Sequence, residues 1–408
     1  MTTMTSAEVR SPASPDLQPD PALLGRSRRS AEWAATMAGV TDQGIRLAHD
    51  DSHAGAGAIQ VLDRPAREAR EAESLSPGAT HAVGAGNRLR EEEPDPVRTC
   101  FERDRDRILH GTTAFRRLAG KTQVFIFPDD HQRTRLTHAL EVAQVATAVA
   151  RACGLNVALT EAIALGHDCG HGPGGHASED AFSPYLAEGY DHAVWGADVV
   201  LAPLNLCAET LDGIRNHSWS RPAPSTPEAE VVSWADRIAY VCHDFEDAVL
   251  AGIVTPAMLP ELVVEHCGRE RSRQLHAFIG AMVDATAQTG RIGMTHAAAD
   301  ALAEFRRFNY THIYMRPAST AQSQLVIRVL RSLVELYADR PNRLPLEDLP
   351  QPAGPLHRDD LTAGSEAAVR EAVTYVAGMT DRYACQMAVS LLGWDPAALP
   401  VGVDVRPR

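Results

Sequence analysis

Residues 161–180 read EAIALGHDCGHGPGGHASED and hold the densest group of chemically active side chains in the sequence. Their first, apolar part predicts the end of a helix, and the glycines that follow predict a loop. His167 and Asp168 are adjacent at this boundary, and His171 and His176 follow within the loop. Three histidines and a carboxylate beside flexible glycines indicate a functional site rather than ordinary helix packing.

His167 and Asp168 need ligands from other segments if they bind one ion, because adjacent side chains on a regular helix diverge by about 100°. His138 lies on the predicted helix before them, and Asp236 lies on the predicted helix after them. Two imidazoles and two carboxylates without a thiolate suit Mn²⁺, Mg²⁺, Fe²⁺ or a catalytic Zn²⁺. We therefore expect these four residues to bind one divalent ion that activates water, with Mn²⁺ or Mg²⁺ preferred and Fe²⁺ or Zn²⁺ as alternatives.

Two short motifs compete with this interpretation. HDCGH at 167–171 is similar to the H-E-x-x-H zinc helix, but it has Asp in place of Glu and a glycine where that motif needs a continuous helix. AGKT at 119–122 is similar to the end of a P-loop, but Phe115 takes the position of the first P-loop glycine. We reject both motifs.

The composition excludes several classes of protein. The formal net charge of -14 argues against a general nucleic-acid binder. Lys121 is the only lysine among 39 basic residues, so an individual arginine is weak evidence for phosphate binding. The seven cysteines are scattered and form no C-x-x-C pair, which argues against a disulfide framework and a zinc ribbon. Without a secretory signal or an apolar run of membrane length, we expect a cytoplasmic protein with no membrane partner.

Composition and apolar periodicity divide the chain into three parts. Residues 1–95 are rich in Pro, Ser, Ala, Gly and charge, and we expect a disordered or loosely ordered extension. Residues 96–395 show helical periodicity, and residues 396–408 form a tail. Helices are predicted at 105–118, 137–155, 159–172 (broken from Gly170 onward), 229–252, 271–286, 295–310, 321–339 and 370–393, and VFIF at 124–127 is the best strand signal. The predicted fold class is mainly α.

Several longer stretches, in fixed order, resemble the HD-domain deoxynucleotide triphosphohydrolases, the dGTPase-like proteins. The stretches lie at 102–125, 133–146, 161–180, 210–219, 229–244 and 375–384, so the resemblance covers roughly residues 98–390. It implies an HD-type helical phosphohydrolase fold for residues 96–395 and hydrolysis of a dNTP to the deoxynucleoside and inorganic triphosphate. It also implies the four metal ligands already named and a homo-oligomer. A nucleic acid is not expected as substrate but stays open as an effector.

The resemblance assigns further residues to the chemistry. It implies that His176, Glu179 and His192 act near the scissile bond. His176 and Glu179 are three residues apart, so on a helix they share a face and the carboxylate can orient the imidazole. The residues expected to contact the substrate are Gln123, Arg135, His171, Tyr240 and Asp244. Gln123 and Asp244 are expected to bind the 3′-hydroxyl and to leave little room at C2′.

The sequence departs from the family pattern in two segments. HDCGHGPGGHASE replaces the usual HDLGHPPFGHAGE, so Cys169, Gly172 and Gly174 stand where Leu, Pro and Phe are usual. HAVWGAD replaces a polar H-N-x-Q-x-x-R run, so Asp198 stands where Arg is usual. We expect a more flexible loop from the added glycines and weaker phosphate binding from the acidic residue.

Three other functions compete with dNTP hydrolysis. An HD phosphohydrolase could instead act on a nucleoside monophosphate, a cyclic nucleotide or an alarmone. A single-stranded nucleic-acid binder or nuclease is opposed by the net charge and the few aromatic residues. A nucleotide-sensing protein would bind dNTP and metal with little turnover. The released products separate these functions, because only the favoured reaction releases intact triphosphate.

Overall fold

The computed structural model describes residues 28–30, 40–42, 44–49, 55–124, 132–350 and 361–400. The chain divides into two compact units, Met1–Val61 and Leu62–Arg408. The first unit contains an antiparallel hairpin of β1 (Val40–Asp42) and β2 (Ile45–Leu47). The strand predicted at 124–127 lies outside the described residues except for Val124, which is in an irregular bend.

Among the described residues of the second unit, regular structure is helical, which confirms the predicted fold class. The α-helices are α1 (Arg64–Ser74), α2 (Cys100–His110), α3 (Thr113–Arg117), α4 (Arg135–Ala152), α5 (Val157–Gly166), α6 (His176–Phe182), α7 (His192–Trp195), α8 (Ala208–Asn216), α9 (Pro227–Leu250), α10 (Glu261–Cys267), α11 (Arg271–Thr289), α12 (His296–Asn309), α13 (Pro317–Asp339), α14 (Glu366–Ala377) and α15 (Asp381–Leu392). Gly196–Val200 and Tyr310–Tyr314 are π-helical, and 3₁₀ turns occur at Leu118–Gly120, Ser183–Tyr185, Ala202–Leu204, Pro256–Met258, Pro341–Arg343, Leu346–Asp348 and Pro396–Ala398.

The second unit begins at Leu62, before the boundary near residue 95 that composition predicts. Thr80 shows how this segment is fixed, because its backbone N–H and its hydroxyl donate to the carboxylate of Glu228 at 3.0 and 2.7 Å. Arg88 forms an ion pair of 2.6 Å with the buried Asp104 of α2. Polar anchors of this kind leave no apolar periodicity in the sequence, so composition alone misses them.

Two of the predicted helices are each divided in the structure. The helix predicted at 105–118 is divided into α2 and α3 at Gly111, and Thr112 caps α3 through a hydrogen bond to a backbone N–H. The helix predicted at 370–393 is divided into α14 and α15 after Gly378, and Thr380 caps α15 in the same way. Glycine after a helix and threonine before the next helix favour such breaks over a continuous helix.

Two apolar cores stabilise the second unit. The first is built mainly from α2, α4, α5, α8, α9, α11 and α12, and the second mainly from α6, α13, α14 and α15. Helix α4 packs against both α5 and α9, while α6 packs against α13. None of the helices in the described ranges combines the length and the apolar character needed to cross a membrane.

Candidate active site

The four predicted metal ligands lie on, or directly after, three helices of the first core. His138 lies one turn into α4, which begins after the capping residue Thr134. His167 follows the last residue of α5, and Asp168 is the next residue in the turn. Asp236 lies in the first half of α9. Because α4 packs against both other helices, these side chains meet although they are distant in sequence.

The structure brings the four predicted ligands together. The Nε2 atom of His138 lies 3.0 Å from Oδ1 of Asp236. The Nε2 atom of His167 lies 3.7 Å from the same oxygen and 3.4 Å from Oδ1 of Asp168. Ligand atoms of His138, His167 and Asp236 all lie within 4.8 Å of one another. Two imidazoles and two carboxylates at these distances form a donor set suited to one divalent ion.

The hydrogen bonds of His167 show which of its nitrogens is free to bind metal. Its Nδ1 lies 2.7 Å from the carbonyl oxygen of Ala164, so Nδ1 carries the hydrogen and donates it. Nε2 therefore keeps its lone pair, and this buried atom has no hydrogen-bond partner among the described residues. Metal-bound imidazoles commonly donate their other N–H to a backbone carbonyl. The residues present therefore fit a divalent ion.

His217 lies beside the predicted metal ligands, and the sequence analysis did not select it. It follows the last residue of α8 and donates its Nδ1–H to the carbonyl oxygen of Ile214 at 2.8 Å. Its ring centroid lies 5.0 Å from that of His167. Its ligand atom and those of His167 and Asp168 lie within 4.8 Å of one another. The available signal is its position, because His217 and His167 both directly follow the end of a helix and donate back to its last turn.

Arg135 is the main countercharge for the buried carboxylate of Asp168. Its NH1 atom lies 2.8 Å from Oδ2 of Asp168, and the whole arginine is 1% exposed. On the other side, Nε2 of His171 lies 3.2 Å from Oδ1 of Asp168. Burial by itself would raise the pKa of Asp168, but Arg135, His167 and His171 hold it well below the usual value. Asp168 is therefore ionised and able to bind a cation.

A series of side-chain contacts runs from Glu179 to the group of predicted metal ligands, His138, His167, Asp168 and Asp236, here termed the metal cluster. The Nδ1 atom of His192 is hydrogen-bonded to the carboxylate of Glu179, and its Nε2 lies 3.3 Å from Nε2 of His217. Burial would lower the pKa of His192, but Glu179 raises it above the usual value. Burial would likewise raise the pKa of Glu179, but the bond to His192 lowers it to about 2. An ionised carboxylate thus stabilises the protonated form of His192.

The partner of Glu179 differs from the one predicted by spacing. The sequence favours a pair between His176 and Glu179, whereas the hydrogen bond of Glu179 is made to His192. His176 is the first residue of α6 and exposes its ring to the adjoining cavity. Its ring centroid lies 5.0 Å from that of His171. His171, in turn, stacks on His192 with centroids 3.7 Å apart.

Two glycines of the loop allow this close packing. A side chain on Gly170 would collide with the carbonyl of His192 and the backbone of Gly196. Gly175 has a φ of 62°, which favours glycine, and a Cβ there would collide with the guanidinium of Arg135. The glycines in this loop therefore serve close contacts between ordered segments.

Lys121 stabilises the same loop through hydrogen bonds to backbone carbonyls. It is 3% exposed and donates from Nζ to the backbone carbonyls of His171 and Ala377. Burial lowers its pKa to about 8. The AGKT segment thus holds the loop through backbone contacts and does not form a phosphate-binding loop.

A cavity of about 380 Å³ opens onto the metal cluster. The predicted site residues that line it are Gln123, Arg135, His138, Asp168, His171, His176, His192, Asp236, Tyr240 and Asp244. Residues that the sequence analysis did not select also line it, among them His217, Trp219, Arg237, Arg306 and Tyr314. A larger cavity of about 690 Å³ lies elsewhere, and neither metal ligands nor their histidine neighbours line it.

Comparison with known proteins identifies the family. The family model of the HD domain matches residues 135–241, and that of the phosphohydrolase-associated domain matches residues 292–389. A deoxyguanosinetriphosphate triphosphohydrolase-like protein of Caldanaerobacter subterraneus subsp. tengcongensis is 38% identical over 328 residues, covering 79% of this chain and 93% of the relative. The chain belongs to this HD-domain, triphosphohydrolase-like family.

Another member of the family and a solved structure are also similar to this chain. A relative of the same description from Desulfatibacillum aliphaticivorans is 38% identical over 343 residues, covering 78% of this chain and 94% of the relative. A solved phosphohydrolase from Bacteroides thetaiotaomicron is 16% identical and covers 71% of this chain and 69% of that chain, with a TM-score of 0.45. HD domains bind divalent metal ions, and the cluster of this family member has the side chains for one.

One departure from the family pattern lies outside the cavity. Asp198, which stands where Arg is usual, forms an ion pair with Arg215 near the surface. It does not line the cavity, so its charge does not face a bound anion. Cys169, in the other altered segment, is 2% exposed and packs in the first core.

Proposed function

We propose that the protein hydrolyses deoxynucleoside triphosphates, dGTP or another dNTP, to the deoxynucleoside and inorganic triphosphate, with one bound Mn²⁺ or Mg²⁺. The observation that carries this proposal is the composition of one cavity. It joins the His/Asp cluster to three guanidinium groups and to two buried oxygen acceptors that have no partner among the described residues. The descriptions of the relatives support the same reaction.

His138, His167, Asp168 and Asp236 would hold the ion. When bound, a divalent ion polarises phosphate oxygens and lowers the pKa of a water molecule. The protein itself fixes these ligands beside the cavity, which His138, Asp168 and Asp236 line. Arg135 keeps Asp168 ionised and at the same time presents a positive group beside the reacting phosphate.

His192 is our candidate for the general acid that protonates the departing 5′-oxygen. Its pKa is raised by Glu179, so the imidazolium persists closer to neutral pH, where an acid is most useful. It lines the cavity and stacks on His171, which places both rings beside Asp168. His176 is exposed and lines the same cavity, and we assign it to contact with the phosphates.

Arg237 and Arg306 supply the positive charge expected for the rest of a triphosphate. Arg306 is hydrogen-bonded to the hydroxyl of Tyr240 at 2.6 Å. In the described part of the chain, neither arginine has a carboxylate within ion-pair distance, and Nε of Arg237 is buried without a partner. Two unpaired guanidinium groups in one cavity repel each other and are stabilised by a bound anion.

Gln123 and Asp244 provide the acceptors expected for a sugar hydroxyl. The Oε1 atom of Gln123 and the Oδ1 atom of Asp244 are buried and without a hydrogen-bond partner among the described residues. The other oxygen of Asp244 accepts a hydrogen bond of 2.6 Å from the hydroxyl of Tyr314. A ligand hydroxyl would satisfy these buried acceptors, which otherwise cost free energy. We assign this wall of the cavity to the 3′-hydroxyl of a deoxyribose.

The experiment that tests this function is incubation of the purified protein with each dNTP and with Mn²⁺ or Mg²⁺, followed by anion-exchange separation of the products. We expect deoxynucleoside and intact triphosphate in equal amounts, and no turnover in Asp168→Ala. Consumption of monophosphates, cyclic nucleotides or alarmones in place of dNTPs would contradict the proposed substrate. Binding of dNTP without turnover would indicate a nucleotide sensor.

A further inference from the structure

We infer that Trp219 is a positioning residue that holds the guanidinium of Arg237 inside the cavity, where it binds the polyphosphate of an anionic substrate. The inference rests on the proposed function and extends it to a residue outside the metal cluster. It concerns a large aromatic side chain that is 48% exposed and lines the cavity, which core packing alone does not explain.

The contact between the two side chains is close. The central guanidinium carbon of Arg237 lies 3.6 Å from the centroid of the Trp219 ring, which is van der Waals distance for a cation stacked on an aromatic face. Tryptophan binds cations in this way more strongly than tyrosine or phenylalanine. The guanidinium thus has an aromatic surface on one side and the cavity beside it.

Trp219 is itself fixed by the helix that carries Arg237. Its indole N–H donates to the backbone carbonyl of Ser233 at 3.1 Å. Its ring packs edge-to-face on Trp234, with centroids 4.6 Å apart. Ser233, Trp234, Asp236 and Arg237 all belong to α9. The aromatic face is therefore held in a fixed relation to the helix that also provides the metal ligand Asp236.

Arg237 needs such a support because other forces oppose its position. Arg237 is partly buried, and Arg306 lines the same cavity with a second positive charge. No carboxylate in the described ranges pairs with it, and its Nε is buried without a partner. A long arginine side chain without an ion pair gains entropy by leaving a crowded cationic site. The stacked indole holds the guanidinium in the cavity against this gain in entropy. It leaves the N–H groups of the guanidinium free to bind an anion.

Inorganic tripolyphosphate is the probe, and the full-length, metal-loaded protein is titrated with it in a calorimeter. Trp219→Leu removes the aromatic face, Trp219→Phe keeps a smaller one, and Arg237→Gln removes the cation. Each tryptophan variant is made in the wild-type background, and Trp219→Leu is also made in the Arg237→Gln background. Circular dichroism and thermal unfolding of every variant show whether it is folded.

We expect Trp219→Leu to weaken tripolyphosphate binding by about three- to tenfold, in line with a partly exposed cation–π contact. Trp219→Phe should stay within about twofold of the wild type. In the Arg237→Gln background, Trp219→Leu should have an effect of less than about twofold, because the group it positions is absent. With dNTP as substrate, Trp219→Leu should raise KM more than it lowers kcat.

Equal losses of affinity from Trp219→Leu in both backgrounds would overturn the inference, because Trp219 would then act independently of Arg237. A loss of dNTP affinity with unchanged tripolyphosphate affinity would also overturn it, since Trp219 would then contact the base. A wild-type protein that does not bind tripolyphosphate would overturn it as well. A protein that binds tripolyphosphate with the expected coupling but hydrolyses no dNTP would support the inference and contradict only the proposed function.

Discussion

The Nε2 atom of His192 lies 3.3 Å from the Nε2 atom of His217, and this contact joins the candidate acid to the metal cluster. His217 carries its hydrogen on Nδ1, which donates to Ile214, so its Nε2 is an acceptor. Burial lowers the pKa of His217 to about 3, and the pKa of His192 is raised by Glu179. The proton between the two rings therefore belongs to His192, and His217 orients it.

Replacement of His217 should reduce turnover more than metal binding. In His217→Ala the four predicted ligands remain, while His192 loses the acceptor that orients its Nε2–H. We expect kcat to fall by about ten- to a hundredfold, as for loss of a residue that orients a functional side chain. The metal content by mass spectrometry should stay near stoichiometric. Loss of the metal under the same conditions would instead make His217 an essential ligand.

Replacement of Asp236 should remove the metal. Asp236→Asn keeps the size of the side chain but loses the charge that faces His138 at 3.0 Å and His167 at 3.7 Å. We expect metal affinity to fall by at least about a hundredfold and turnover to be lost, because a ligand matters at least as much as its outer-shell partners. Glu161→Gln, which changes a partly exposed carboxylate of α5 outside the cavity, is the matched control. A metal-replete Asp236→Asn protein would contradict the assigned donor set.

The alkaline limb of the pH–rate profile should depend on Glu179. This carboxylate raises the pKa of His192, so Glu179→Gln lowers that pKa. An acid must be protonated to act, and activity is lost as the pH rises through its pKa. We expect the alkaline limb of kcat/KM to move to lower pH by about one unit. An unchanged limb in an active variant would exclude His192 as the titrating acid.

The buried carboxyl of Asp244 should make the metal-free protein less stable as the pH rises. Burial raises its pKa to about 7, although Tyr314 and His138 lower it. The native state therefore binds more protons than the unfolded state between about pH 4 and pH 7, and the free energy of unfolding falls over this window.

Asp244→Asn cannot titrate, so its stability relative to the wild type should increase through the same window, by at most about 1.4 kcal/mol per pH unit. Urea denaturation of both proteins at pH 5 and pH 7.5 measures the change. A difference in stability that is the same at both pH values would show that Asp244 is ionised throughout.

The sequence predicted the helical class and the residues that the structure brings together around His167 and Asp168. These were predictable because an adjacent His-Asp pair at a helix end is unusual, and because the long motifs around it resemble a family. His217, Arg237 and Arg306 were not selected, because their importance depends on which helices pack together. The partner of Glu179 was also missed, since spacing along one helix does not show the approach of α7.

The most direct test of the central claim is dNTP hydrolysis in ¹⁸O-labelled water with mass spectrometry of both products. Attack of water on the α-phosphorus forms a new P–O bond and breaks the bond to the 5′-oxygen, so one ¹⁸O should appear in inorganic triphosphate and none in the deoxynucleoside. Label in the deoxynucleoside, or release of orthophosphate or diphosphate in place of triphosphate, would contradict the proposed reaction at this site.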